Sequence, residues 1–112
     1  MQGIVNNAVY MSYFEHARHE FIESRGVTFK SLVQKDIIVM VSHIEIAFKA
    51  SLRSGDLFAV RINAARKYAN LVLQQDIFNT RNEQLCVAAK VKLVCKVNGK
   101  LTRGELFDRF ID

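Results

Sequence analysis

Apolar side chains recur at helical spacing near the start of the chain. Tyr10, Phe14, Ala17 and Phe21 stand at i, i+4, i+7 and i+11, with Tyr13 beside them, so the pattern predicts a helix with one apolar face over 7–25. Asn6 or Asn7 supplies the N-cap, and Gly26 after Arg25 provides a stop with a cation in the last turn. Thr28–Lys35 reads as a short helical turn. From Ile37 the period changes to two. Ile44, Ile46 and Phe48 alternate with His43, Glu45 and Lys49, and after "SLRSGD" Phe58, Val60 and Ile62 alternate with Ala59, Arg61 and Asn63. A third strand, Asn70–Asn79, follows the break at "RKYA", and "TRNE" leads into a fourth, Gln84–Val97. In that strand Leu85, Val87, Ala89, Val91, Leu93, Cys95 and Val97 share one face. Lys90, Lys92 and Lys96 lie on the other, together with Cys86, Ala88 and Val94. "NG" at Asn98–Gly99 is a strong turn signal, and "GELFDRFID" forms one amphipathic turn or two. A helix followed by four strands on short turns is an antiparallel α+β meander. Small apolar residues on the outer sheet face suggest that part of it meets another subunit.

The 112 residues make a single domain spanning 1–112. Half are hydrophobic and none is proline, which argues against disorder. No apolar run approaches the roughly 18 residues of a membrane helix, so no membrane insertion is expected; "IIVMV" at Ile37–Val41 is strand length. With no basic-plus-apolar leader, a cytoplasmic location is the default expectation. Cys86 and Cys95 stand on one strand, too far apart for a disulfide. Sixteen Lys and Arg against eleven Asp and Glu give a net charge of +5, which favours a polyanionic partner: nucleic acid, an anionic membrane surface or a phosphorylated cofactor. Aromatics do not interleave with the strand lysines, so the stacking platform of an RNA-binding sheet is missing and a nucleic-acid partner is not expected. His16 and His19 are three apart without a third ligand at suitable spacing, so no metal is expected.

The stretch "GIVNNAVYMSYFEHARHEF" ahead of a curved antiparallel sheet resembles the hotdog fold, in particular the 4-hydroxybenzoyl-CoA thioesterase branch of the acyl-CoA thioesterases. That family carries an Asp, two variable residues, G-[IV]-V, a short spacer and a Y-x-x-[YF]-[FLY]-[ED]-x-[AC]-R helix. Gly3-Ile4-Val5, Tyr10, Tyr13-Phe14-Glu15 and Ala17-Arg18 match it in order, and "LRSGD" at Leu52–Asp56 matches the family's first hairpin turn. The resemblance implies a long central helix wrapped by the sheet. It also implies hydrolysis of an acyl-CoA or acyl-carrier-protein thioester to free acid and thiol, by a homodimer or homotetramer. Coenzyme A then enters as part of the substrate, and no separate cofactor is expected.

By position in the motif the backbone N–H of Asn7 is the oxyanion donor, Gly3 turns the chain so that the acyl group can approach, and Val5 and Tyr10 line the substrate site. Read from the residues alone, Asn6 and Asn7 cap the helix and Gly3 makes a turn. The family's catalytic Asp would fall just before Met1, and the family's first strand, about a dozen residues, is absent as well; a shortened form explains both. Other hotdog enzymes place a catalytic Glu on this helix, which makes Glu15 the internal candidate for a base; otherwise it is a solvated residue paired with Arg18 or His19. Arg66, Lys67, Lys90 and Lys92 are the candidates for the coenzyme phosphates. The alternative is a catalytically silent hotdog domain that binds acyl-CoA or dimerises.

Overall fold

The computed structural model describes residues 7–50 and 55–111. Helix α1 (Asn7–Ser24) is followed by the short α2 (Phe29–Gln34), then by strands β1 (Ile37–Phe48), β2 (Phe58–Lys67), β3 (Asn70–Asn79), β4 (Leu85–Val97) and β5 (Lys100–Leu101), and by a closing 3-10 helix (Glu105–Phe110). Thr28 caps α2, its Oγ1 accepting from the Ser31 N–H at 3.1 Å. The turn at Asn98–Gly99 has positive φ at both residues, the conformation for which that dipeptide is suited.

All the strands are antiparallel, but they are not a meander. The order is β1-β4-β3-β2, with β5 added to β4. Strand β1 pairs with β4 from Ile37↔Val97 to Phe48↔Val87, so β1 and β2 lie at opposite edges of the sheet and the link between them, residues 49–57, does not close a hairpin. That link is too long for the two-residue hairpin geometry that forces neighbours to pair, whereas Tyr68–Ala69 joins β2 directly to β3. Strand β5 was not expected; two residues are too few for alternation to register.

Burial explains the order. Positions on β3 and β4 alternate with fully buried residues, while on β1 and β2 the inward positions are only half-buried. The central pair supplies the core floor of Leu71, Leu73, Ile77, Val87, Val91 and Leu93, on which Tyr10, Phe14 and Ile22 of α1 are laid. Phe107 and Phe110 of the closing helix are wholly buried against the same core. The strongly alternating strands thus lie in the middle because they have two neighbours to bury against.

Two bulges adjust the register. Ser42 is the extra residue between Val41 and His43 in β1. Cys86 is the extra residue in β4, because Ile77 pairs with Val87 and Phe78 with Leu85. A bulge inserts one residue and swaps the faces beyond it. Cys86 is therefore buried beside Val87 instead of lying with the lysines, and Leu85 moves to the open face opposite Phe78. Both cysteines are free and buried.

Candidate active site

Helix α1 begins at Asn7, and the first N–H groups of a helix have no carbonyl partner within it and sit at its positive end. Asn7 is the first described residue of α1, so its amide stands in this first turn. Gly3 and Val5 lie outside the described residues. Tyr10, one turn on, is buried, with its ring 5.9 Å from that of Phe48; it anchors the first turn of α1 over the end of β1 and belongs to the core. On the other side Tyr13 packs on Phe58 at 4.5 Å.

Two hollows flank the helix. Along β2 runs an open groove of about 590 Å³ floored by Phe58, Val60 and Ile62 and walled by Tyr13, Ala17 and Phe21. His16 and Glu20, one turn apart on its rim, pair at 2.9 Å. Along β1 lies a smaller hollow of about 200 Å³, where Glu15, Arg18 and His19 of α1 face Phe29, Val39 and Val41. Glu15 is exposed at this second hollow. It stands eight residues from Asn7, about 12 Å along the helix axis. The His19 ring lies 4.6 Å from that of Phe29.

Arg18 entered the sequence reading through the helix motif and as a partner for Glu15, with which it forms no ion pair; it sits on the buried line Tyr10–Phe14–Arg18–Ile22, only 9% exposed. Its Nη1 donates to Gln75 Oε1 at 3.0 Å, and Gln75 Nε2 donates to the Phe14 carbonyl at 3.0 Å. Gln75 is fully buried in the row Leu71, Leu73, Gln75, Ile77 of β3. A buried amide needs its partners, and here it has them on both sides, tying the helix to the sheet. The spacing of four from Phe14, and a Gln in an otherwise apolar alternation, were the signals available for these two residues. Burial pulls the Arg18 pKa below its ordinary value, and the nearby charge of Glu15 pulls in the opposite sense; a guanidinium remains a cation all the same.

The cations expected to meet the coenzyme are dispersed. Arg66 is clasped inside the fold: Nη1 donates to the Gly104 carbonyl (2.6 Å) and to Asp108 Oδ1 (2.8 Å), and Nη2 to the carbonyls of Tyr68 (2.9 Å) and Arg103 (2.8 Å). Lys67 is exposed at the end of β2. Lys90 and Lys92 pair across from Glu45 and His43 of β1 and from Gln74 and Val72 of β3. These positions form the sheet face turned away from α1, so neither lysine shares a hollow with Asn7 or Glu15. Among the described residues no cluster of three His, Cys, Asp or Glu could hold a metal, and no helix is long and apolar enough to cross a membrane.

Comparison with known proteins places this arrangement. The family model of the thioesterase superfamily matches residues 2–86. The chloroplastic acyl-acyl carrier protein thioesterase ATL3 of Arabidopsis thaliana is 35% identical over 89 residues, which are 79% of this chain and 47% of that protein. The chain thus spans about half the length of that relative. The acyl-CoA thioesterase YbgC of Haemophilus influenzae is 27% identical over 101 residues, 88% of this chain and 73% of its own. The crystal structure of a probable thioesterase from Bartonella henselae superposes with a TM-score of 0.79 at 27% identity, covering 90% of this chain and 85% of that one. A long helix laid on an antiparallel sheet of this order is the hotdog fold implied by the N-terminal motif. The chain belongs to the thioesterase superfamily.

Proposed function

We propose that the protein hydrolyses an acyl thioester, carried by coenzyme A or by an acyl-carrier protein, to free acid and thiol. The observation that carries this reading is the first described turn of α1, where the Asn7 N–H lies at the positive end of the helix. A thioester carbonyl directed at that amide gains a donor for the negative charge that develops on its oxygen. Glu15 takes a proton from water as the water oxygen attacks the carbonyl carbon. The tetrahedral oxyanion then collapses, the C–S bond breaks, and Glu15 returns the proton to the departing thiolate. Both donor classes are named among the relatives, one acting on acyl-carrier protein and one on acyl-CoA. Lys67 is exposed and available to a coenzyme phosphate.

The protein acts as a homodimer or homotetramer in this reading. Ile38, Met40 and Val41 are exposed on β1, an edge strand with apolar residues on both faces, and such an edge calls for a partner. The separation of about 12 Å between Asn7 and Glu15 on one helix also suits a site to which two copies contribute one group each.

Thiol release from a panel of acyl-CoA and acyl-carrier-protein thioesters tests the proposal, and no turnover with any of them overturns it. Replacing Glu15 with Gln should lower kcat by at least about 100-fold; an unchanged rate removes Glu15 as the base and leaves hydrolysis standing.

A further inference from the structure

The hollow along β1 is lined by a cation that makes no ion pair among the described residues. Arg18 is 9% exposed, and its one hydrogen bond to a described residue goes to the neutral amide of Gln75. No carboxylate among the described residues forms an ion pair with it; Glu15 acts on it only as a more distant charge. A buried guanidinium is expensive unless it is paired. Gln75, anchored by its other end to the Phe14 carbonyl, engages only the Nη1 of Arg18. The remaining guanidinium donors are therefore left for something that enters the hollow.

We infer that this hollow is a carboxylate site: it takes the anion of an organic acid with a small apolar body, and Arg18 is the residue that recognises it. About 200 Å³ is room for roughly six waters, enough for a short-chain or single-ring acid. The walls suit such a body, with Phe29 and His19 forming an aromatic corner and Val39 and Val41 an aliphatic side. Arg presents two parallel N–H donors that match the two oxygens of a carboxylate. Glu15 at the rim repels the anion, so the site accepts a carboxylate only where Arg18 outweighs it. This extends the hydrolase reading, on which its biological meaning rests. Hydrolysis turns an uncharged thioester into an acid, and Arg18 stands three residues from Glu15, about one helical turn, where that new charge would be received.

Binding is tested without turnover, so that failure here and failure of the hydrolase reading are separable. The full-length protein is titrated with sodium benzoate and with benzamide, its uncharged counterpart, following the NMR signals of Phe29, Val39 and Val41. Saturable benzoate binding that moves these signals, with benzamide at least tenfold weaker, is expected. Arg18→Gln should weaken benzoate at least tenfold, and Arg18→Lys should recover part of the loss. Val41→Glu leaves Arg18 in place but brings a carboxylate to the wall; with its oligomeric state shown by gel filtration to match wild type, it should abolish benzoate binding even if the Arg18 variants do not fold. Equal affinity for benzamide, shifts confined to other parts of the molecule, or undiminished binding in Arg18→Gln or Val41→Glu each overturn the proposal. In a dimer, an anion that cannot displace a partner's carboxylate from Arg18 appears as no benzoate binding, and that result overturns it too. Competition between benzoate and an acyl-CoA substrate further supports a product site.

Discussion

Two arginines are drawn into this fold, and they are treated in opposite ways. Arg66, with 25% of its side chain exposed, spends both terminal nitrogens on three carbonyls and one carboxylate, and only its buried Nε lacks a partner. It staples the end of β2 to the turn that opens the closing helix. Arg18 is more deeply buried, yet has one neutral partner and an adjoining hollow. A cation whose terminal nitrogens are all spent has little capacity left for a ligand, and one that keeps donors toward a hollow has more. The difference separates a cation that stabilises the fold from one that is positioned to bind, although nothing in residue type distinguishes the two.

The largest effects should come from the Arg66 region. Gly104 has φ of +79°, and a Cβ there would stand 2.5 Å from the Ala69 carbonyl oxygen and 2.9 Å from Phe107. Backbone cannot give way cheaply, so Gly104→Ala should destabilise by about 3 kcal/mol or more, read as a fall in the urea midpoint at unchanged m-value. Arg66→Met, which keeps the aliphatic stem but removes four hydrogen bonds, should cost about 2 kcal/mol. A wild-type midpoint for Arg66→Met would mean that the clasp does not hold the C-terminal turn, and the comparison would fail on its first side.

The Arg18 region should respond differently. Replacing Arg18 with Met alone leaves Gln75 Oε1 buried without its donor and should destabilise by about 1–2 kcal/mol. Replacing both, as Arg18→Met with Gln75→Leu, removes the whole polar network from an apolar layer, and the double variant should return to within about 1 kcal/mol of wild type. The thermodynamic cycle over the two single variants and the double measures that coupling. A double variant destabilised by more than the sum of the singles would show that the network is retained for stability, and Arg18 would join Arg66 as a staple.

Much of this was legible in the chain, because it is local. The span of α1, the limits of β3 and the turn at Asn98–Gly99 all follow from spacing and turn chemistry acting over a few residues. What escaped was what depends on distant partners. Strand β1 pairs with β4, bringing Phe48 to Val87, and no short-range signal at either strand specifies that choice. The bulge at Cys86 was invisible because Leu85 and Cys86 are both apolar, so a swap of faces leaves no break in the pattern. Gln75 was passed over, and the burial of Arg18 missed, because an apolar stripe is recognised by its apolar members. Arg66 reads as a surface cation at a turn until the closing helix folds back and supplies Asp108. Charge could be counted in the sequence, but whether a charge was spent or free could not.

A third cluster sets the low end of the comparison, where charges are neither clasped nor buried. On the open sheet face His43 Nε2 and Glu45 Oε1 are 3.0 Å apart. Hydrogen bonding from His43, then its charge, holds the Glu45 carboxyl below its ordinary 4.5, with smaller contributions from Lys90 and Lys92. The folded state thus binds its proton less readily than the unfolded chain, so any stabilisation is complete above the ordinary carboxylate range and is lost as pH falls through the lowered pKa. Glu45 is fully solvated, so water and salt screen these interactions and the effect should be the smallest of all. The Tm of wild type should exceed that of Glu45→Gln only slightly at about pH 6, and the gap should close by about pH 3. A gap that widens as pH falls would reverse the sign, and would mean that the neutral carboxyl is the form the sheet prefers. A gap as large as that of Arg66→Met would show that exposure does not rank these charges, and the contrast between Arg66 and Arg18 would then need another cause than the number of partners each cation keeps.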